Sequence, residues 1–399
     1  MQDKFLVPYN PTETEPKIYK IWQESGYFNP DNLPKRHGKP FSIILPPPNA
    51  TGTLHVGGAL MTVIQDIIIR YKRMAGYKTL WLPGTDHAAI ATNSKVEKIL
   101  YKEEGKSRHD IGREKFIKRV EKFVEENRGE LKNQISKMGA SLDWSREAFT
   151  LDEKRSLAVR TAFKKMHDAG LIYRGTRVVN WDPKGQTTIS DDEIVYEERA
   201  SKLYTFKYSP DFPFAISTTR PETKLGDTAV AVHPDDKRYQ EFVGKTYKLN
   251  FAGSNLEIKI VADTSVDPEF GTGALGVTPA HSQIDAEIAK RHGLPEIQVI
   301  DEYGKIKLPI EGLLGEKTIM AREGVVAWLK ENNLLIKEEE VKQNVATAER
   351  TGGIIEPMPK LQWFVAVDKP IEERSGKTLK TLMRETISEG KIKILPDRF

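Results

Sequence analysis

Phe41-Ser-Ile-Ile-Leu45-Pro-Pro-Pro-Asn49-Ala-Thr-Gly-Thr-Leu-His55-Val-Gly57-Gly58-Ala-Leu60 is the stretch whose reading decides the fold. Phe41 to Leu45 reads as a short buried strand, broken by three prolines. A loop with Asn49, Thr51 and Gly52 follows. Leu60, Val63, Ile64, Ile67, Ile68, Tyr71 and Met74 then recur at helical spacing until Gly76 stops the helix. A second apolar run, Thr79 to Pro83, closes a strand–helix–strand unit. Its crossover is expected to be right-handed and its strands parallel. Ligands of such sheets sit beyond the carboxyl ends of the strands, which places the Pro-Pro-Pro-Asn loop and the His55 turn at a binding site. The helix start offers unpaired N–H groups and a positive dipole end, both suited to phosphate. Taken alone, a glycine-containing turn between strand and helix is a weak signal, and a tight turn explains it equally well.

The chain of 399 residues has room for more than one domain. It contains no cysteine, which excludes disulfides and thiolate metal ligands and suits a reducing, cytoplasmic setting. A net charge of +4 on 30% charged residues is too mild to demonstrate nucleic-acid binding by itself. No apolar run reaches membrane-spanning length, so no membrane partner is expected. Met1 to Phe5 lacks the apolar core of a secretory signal.

Residues 1–38 are expected to form an N-terminal helical segment. Thr12 or Thr14 would cap its helix, Pro16 would sit in the first turn and Gly26 would end it. Ile18, Ile21 and Trp22 make its apolar stripe. Residues 39–194 are expected to form the first half of a nucleotide-binding domain. Within them, Trp81-Leu-Pro-Gly84-Thr-Asp86-His87 puts Asp86 and His87 at a strand's carboxyl end, on the same rim as His55. A carboxylate there could bind an ammonium group, or Asp86 could simply cap a helix. Residues 95–139 read as charged helices with Phe116, Val120, Phe123, Val124, Leu131 and Ile135 on one apolar face, and no chemistry is assigned to them. A turn at Asp143 to Arg146, a helix over 151–169, a strand from Tyr173 to Trp181 and a turn at Asp182 to Gln186 follow.

From about residue 198 the texture changes to short β segments rich in Gly, Pro, Asp and Thr, which marks an inserted domain over 195–345. Two polar clusters stand out in it. One is Ser217-Thr218-Thr219-Arg220-Pro-Glu-Thr223-Lys-Leu-Gly-Asp227; the other is Phe270-Gly-Thr-Gly273-Ala-Leu-Gly276-Val-Thr278-Pro-Ala-His281-Ser282-Gln-Ile-Asp285. Together they place hydroxyls, a guanidinium and a carboxylate in loops at strand ends. Such a set could hold a water against an ester, with Arg220 on an anionic or ribose group and Asp285 on an ammonium. A structural turn network explains the pattern as well, and His281 alone reads as structural. Residues 346–399 return to the first domain through a strand near Gln362 to Val365 and a helix around 377–389. The chain is then expected to be interrupted rather than finished.

His55-Val-Gly57 after Pro-Pro-Asn-Ala-Thr-Gly resembles the nucleotide-binding signature of the class I aminoacyl-tRNA synthetases. Four further stretches resemble the valyl-tRNA synthetase family in particular: Pro-Pro-Pro-Asn49-Ala-Thr-Gly, Gly84-Thr-Asp86-His87-Ala, Asn180-Trp-Asp-Pro and Thr278-Pro-Ala-His281. The likeness runs through essentially the whole chain. It implies an α/β class I fold, with the first half of a Rossmann-like nucleotide-binding domain and an inserted β-rich editing domain. The implied activity is ATP-dependent attachment of valine to its tRNA, with Mg2+ accompanying ATP, and hydrolytic editing of threonyl-tRNA. Valine and threonine are isosteric, and a hydrophobic pocket rejects the added hydroxyl poorly, hence a second, hydrolytic site.

By position, the resemblance puts Pro46, Pro47, Asn49 and Asp86 at valine, and His55 and Gly57 at ATP. It puts Thr218, Thr219, Arg220, Thr223, Phe270 and Asp285 at the editing site. There are departures. Gly58 replaces the second histidine of the ATP motif, Gly276 stands where the editing site usually has lysine, and Ser282 where it usually has aspartate. Ala348 to Thr351 lie where many relatives carry paired cysteines, so no zinc is expected. No Lys-Met-Ser-Lys-Ser loop and no anticodon-binding helical domain appear in these residues. The expected partners are tRNA for valine, valine and ATP. The chain is expected to be a monomer, or to associate with one that supplies the remaining half. Two other readings stand beside this one: a free-standing deacylase of mischarged tRNA, and a non-catalytic relative that binds tRNA or a partner chain.

Overall fold

A computed structural model describes residues 8–396 and Arg398. The reading of Met1 to Phe5 lies outside the described residues. The chain divides into two compact units, Met1–Asp168 and Ala169–Phe399. Among the described residues no helix is long and apolar enough to cross a membrane.

The first unit opens with α1 (Pro11–Glu24). Its N-cap is Asn10 and Pro11 takes the first helical position, so neither Thr12 nor Thr14 caps it and Pro16 lies inside the helix, not in its first turn. The reason is local: a proline's missing N–H and fixed φ cost nothing at the first position, so the helix starts one turn earlier than expected. The helix is not held by its apolar stripe alone, because Ile18 and Trp22 remain more than a third exposed and Ile21 is largely exposed. Tyr19 also donates to the Ala140 carbonyl at 3.0 Å and accepts from the Trp144 indole at 3.1 Å. The Arg70 guanidinium lies 4.6 Å from the Trp22 ring centroid.

The strand–helix–strand unit is β1 (Lys39–Ile44), α2 (Val56–Met74) and β2 (Tyr77–Leu82). The two strands pair in parallel, with Phe41 opposite Thr79 and Ile43 opposite Trp81. Periodicity located the helix but not its inward face. Leu60, Val63, Ile64, Ile67, Ile68, Tyr71 and Met74 are exposed, while Thr62 and Ile69 are buried. The inward face is tied by polar groups: Gln65 accepts from the Trp81 indole at 3.0 Å, and Arg70 donates to the Gly139 carbonyl at 2.7 Å. Asp66 accepts from the Ser141 N–H at 2.9 Å and its hydroxyl at 2.6 Å.

Then come β3 (Gly84–Thr85), α3 (Ala89–Glu104), α4 (Arg108–Ile111) and α5 (Arg113–Lys137). The unit closes with β4 (Ala148–Phe149), parallel to β3, and α6 (Glu153–Asp168). Phe116, Val120, Val124, Leu131 and Ile135 of α5 are buried, as its periodicity requires. Ile135 joins a small core around Trp81, Leu45, Ile69 and Leu142, and Phe116, Val120 and Val124 join another around Ala50, Val96 and Leu100.

In the second unit β5 (Ile172–Asp182) pairs with β6 (Thr187–Ile189), and β7 (Ile194–Phe206) with β8 (Ile216–Thr218). A mixed sheet of order β10-β11-β9-β12 follows, from β9 (Ala229–Val232), β10 (Thr246–Phe251), β11 (Ser254–Ala262) and β12 (Ala274–Val277). Two helices accompany it, α7 (Gln283–His292) and α8 (Thr318–Glu331). The chain returns through β13 (Leu335–Ala348), antiparallel to β7 with Ile194 opposite Ala348, and β14 (Glu356–Val365), antiparallel to β5. It leaves and re-enters the long ribbon at the same level. A short hairpin, β15 (Pro370–Ile371) with β16 (Lys377–Thr378), precedes α9 (Leu379–Ser388). The core here is aromatic, with Phe206, Tyr208, Phe212 and Phe251 stacked edge to face or in parallel.

Asp66 joins α2 to the turn at Gly139 to Ser141 and to Arg70, and it is largely buried. Asp66→Ala is expected to leave the Ser141 N–H and hydroxyl without a partner and to destabilise the fold by about 2 kcal/mol, read from the urea midpoint.

Candidate active sites

In the first unit the ends of β1 and β2 are locked together beyond the sheet. The Ala50 N–H donates to the Asp86 carbonyl at 2.8 Å, and the Asp86 N–H donates to the Pro48 carbonyl at 2.9 Å. Asn49 and Asp86 thereby form a parallel bridge. Prolines cannot donate, so the Pro46-Pro47-Pro48 run ends the β1 ladder and offers only carbonyls to this lock. The Asp86 side chain does not cap α3, whose N-cap is Ala88 in a left-handed conformation without a side-chain bond. Its carboxylate accepts the Thr150 hydroxyl at 2.8 Å, and the Thr150 oxygen accepts the His87 N–H at 3.0 Å. Thr150 thus aims the carboxylate, and nothing in the sequence pattern pointed to it.

Beside this lock lies a cavity of about 540 Å³, lined by Pro47, Pro48, Asn49, the loop Thr51 to His55, Gly57, Gly58 and Met61, over Leu45, Leu131 and Ile135. It gathers Pro47, Asn49, His55 and Gly57 from the expected set; Pro46 and Asp86 are not among its lining residues. His55 is the N-cap of α2, and its Nδ1 accepts the Gly58 N–H at 3.1 Å. With Nδ1 accepting, the neutral imidazole carries its proton on Nε2, a donor left for a ligand. A side chain on Gly58 would meet the Leu54 methyl at 2.8 Å, the tip of a movable side chain. The Leu54 N–H donates to Gln134 of α5 at 2.7 Å. The helix to which no chemistry was assigned therefore steadies the loop and floors the cavity.

In the second unit the two polar clusters meet around the ends of β8 and β12. Thr218 accepts the Arg220 N–H at 3.0 Å, and Thr223 donates to the Arg220 carbonyl at 2.9 Å, so both shape the turn. Thr219 is half-buried between them. The Arg220 guanidinium is ion-paired with Glu356 and, at 3.4 Å, with Glu222. Glu222 in turn takes both arms of Arg322 at 2.8 Å. Burial disfavours the Arg220 charge, but Glu356 and Glu222 outweigh it and hold the guanidinium above its usual range. The expected contact to an anion or ribose therefore belongs to a side chain already paired with two carboxylates. Glu222 lies inside the first cluster but was given no role, and Glu356 and Arg322 were not singled out from sequence, since only the fold brings residues so distant to Arg220 and Glu222.

Asp285, in the first turn of α7, accepts the Thr278 N–H at 2.8 Å and the Ser282 hydroxyl at 3.0 Å. Ser282 is the N-cap of that helix, accepting the Asp285 N–H at 3.3 Å, so serine supplies a good cap where aspartate was expected. Phe270 is exposed, next to Gly271, whose positive φ and closeness to Ser217 leave no room for a side chain. His281 is buried with Nδ1 against the Pro357 carbonyl at 3.0 Å, while Nε2 accepts the Val299 and Ile300 N–H groups at 2.9 and 3.2 Å. It is a neutral structural histidine, and burial, with the Arg220 charge adding, pushes it down to about 3.

The model of the family described as tRNA synthetases class I (I, L, M and V) matches residues 17–398. The chain belongs to the class I tRNA synthetases. It is similar to the valine–tRNA ligase of Thermotoga maritima, 47% identical over 394 residues, covering 98% of this chain and 44% of that protein. The valine–tRNA ligases of Clostridium acetobutylicum and Halalkalibacterium halodurans are each 46% identical, covering 100% and 98% of this chain and 44% and 43% of theirs. This class I synthetase chain thus spans less than half the length of those relatives. Its mixed α/β first unit and β-rich second unit fit the Rossmann-like class I fold with an insertion.

The His281 geometry sets a pH dependence. Its ordinary value is 6.5 and its folded value about 3, so the neutral ring stabilises the fold above 6.5 and that contribution is lost as pH falls toward 3. The parent is expected to lose stability over this window at up to about 1.4 kcal/mol per pH unit. His281→Gln should remove that slope while lowering stability near neutrality, as urea midpoints at about pH 7.5 and about pH 5 will show.

Proposed function

We propose that the chain takes part in ATP-dependent attachment of valine to its tRNA, and that residues 195–345 form an inserted domain that hydrolyses threonyl-tRNA made in error. The observation that carries the first part is the capped start of α2 at the 540 Å³ cavity, with His55 Nε2–H left as a donor. The ATP phosphates lie against this helix start, where the leading N–H groups and the dipole favour an anion. His55 donates to a phosphate oxygen, and Gly57 lets the nucleotide approach the backbone. Asp86, aimed by Thr150, takes the ammonium of valine beside Pro46, Pro47 and Asn49. The valine carboxylate then attacks the α-phosphorus, forming the adenylate and releasing pyrophosphate; a ribose hydroxyl of the terminal adenosine of the tRNA attacks the valyl carbonyl, forming the ester and releasing AMP. Mg2+ accompanies ATP as part of the substrate.

For the second part, β7 and β13 are the stems of the insertion, which their shared register at Ile194 and Ala348 supports. Thr218, Thr219, Arg220 and Thr223 make one wall of the hydrolytic site. Asp285 receives the ammonium of the threonyl group, with Phe270 at the rim. Arg220, held in place by Glu222 and Glu356, acts by its charge on the tRNA end.

A non-hydrolysable valyl-adenylate analogue is the direct probe. It is expected to raise the Tm of the parent, and His55→Ala and Thr150→Val should each weaken its binding about tenfold, the value of one hydrogen bond to a charged group. Calorimetric titration that finds both variants binding like the parent would remove the basis of the proposal.

A further inference from the structure

Lys224 lies between the two clusters and is almost fully buried. Its Nζ donates to the Gly276 carbonyl at 2.6 Å, the Thr278 hydroxyl oxygen at 2.8 Å and Asp227 at 3.2 Å. An ammonium has three donors, so none is left over for a substrate. Asp227 is fully buried and also takes the Tyr208 and Thr278 hydroxyls. Burial pushes the Asp227 carboxyl up, and Lys224, Thr278 and Tyr208 act against it; burial also drives the Tyr208 phenol far up, so it remains a donor.

Gly276 belongs to the same arrangement. A Cβ there would sit 2.5 Å from the Tyr208 hydroxyl, 2.6 Å from Asp227 and 2.9 Å from Ile216. A side chain at 276 and the Tyr208–Asp227 bond are mutually exclusive. The bare glycine and the lysine reaching it from the neighbouring turn are two halves of one packing solution.

We propose that Lys224 is a positioning residue of the hydrolytic site: it clamps the Gly276–Thr278 strand end, and through the Thr278 N–H it sets the Asp285 carboxylate. The proposal rests on the hydrolytic reading of the inserted domain. The chain of contacts is continuous, from Lys224 to Thr278 and from the Thr278 N–H to Asp285 at 2.8 Å. The other charged groups around the two clusters are accounted for, since Arg220 is paired with Glu222 and Glu356, and His281 is neutral. Lys224 is the cation that bonds the Thr278 end of β12.

The test is steady-state deacylation of threonyl-tRNA for valine by the parent, Lys224→Met and Lys224→Met/Asp227→Asn. The single variant leaves Asp227 buried without its cation and should lose stability. The double variant removes both charges of a buried pair, which proteins commonly tolerate, so its Tm should stay near the parent's. Because Asp285 serves ground-state binding of the ammonium, the double variant should show KM raised about tenfold with kcat little changed. A folded double variant with the parent's KM overturns the proposal and leaves Lys224 a structural counter-ion; a double variant that does not fold overturns it equally. If the parent itself has no turnover, the hydrolytic reading fails and this proposal with it, an outcome distinct from parental turnover with an unmoved KM.

Discussion

The hydrogen bonds that join Ala50 to Asp86 and Asp86 to Pro48 continue the pairing of β1 and β2 past the point where the prolines end the ladder. Everything proposed for the first site depends on them. They fix the Pro-Pro-Pro-Asn loop at the end of one strand and the Asp86 carboxylate at the end of the next. The helix that starts at His55 can then present its N-terminus to the same rim. A parallel pair has no hairpin to set its register, so the crossover helix must do so. Here α2 does it with polar bonds: Gln65 to Trp81, Asp66 to Ser141 and Arg70 to Gly139. Those bonds also explain why the apolar stripe of α2 is not its inward face.

The second site is organised by charge removed from water. Glu222, Asp227, Lys224, Asp285 and Glu356 are all buried, and each has a hydrogen-bonded or ionic partner. Isolated, any of these charges would be costly in the interior; bonded to one another they define one arrangement of the loops. Arg220 and Arg322 share Glu222, and Arg220 reaches on to Glu356 at the start of β14. The loop 217–223 is thereby tied both to α8 and to the returning strand. His281 extends the same tie without charge, joining the Pro357 carbonyl to the Val299 and Ile300 N–H groups.

How much of this was legible beforehand follows from the range of the interactions involved. The strand–helix–strand unit, the apolar face of α5 and the long β5 strand are carried by spacing within a few residues, and the structure has these elements there. The exception is that β1 is not the buried strand expected, since none of Lys39–Ile44 is buried and only Leu45 beyond it is. The first cap of α1 was misplaced because two signals, Thr12 and Pro11, compete within one turn and the proline prevails. The inward face of α2 was illegible because Thr62, Gln65, Asp66 and Arg70 interrupt its few apolar residues, Met61 and Ile69, and periodicity reads only apolar residues. Thr150, Glu356 and Arg322 were illegible for a different reason. Each acts on a residue far away in the chain, and no local pattern marks a side chain whose partner is supplied by the fold.

The two glycines that depart from the family's pattern show why a substitution cannot be weighed from its identity alone. Both replace a polar side chain that the resemblance assigns to chemistry. At Gly58 a side chain would press on the end of Leu54, which can turn aside, so the position tolerates glycine without requiring it. Nothing in the surrounding loop has moved in to replace a second histidine; His55 uses Nδ1 to cap the helix and has one donor left. At Gly276 the space a side chain would need is filled by Tyr208 and Asp227, and the ammonium found beside it is that of Lys224, bonded to the Gly276 carbonyl itself. The first glycine leaves the turn at His55 in place, with Leu54 alone to move if a side chain returned. The second cannot be reversed alone, because restoring a lysine at 276 would break the Tyr208–Asp227 bond and set two ammonium groups against one buried carboxylate.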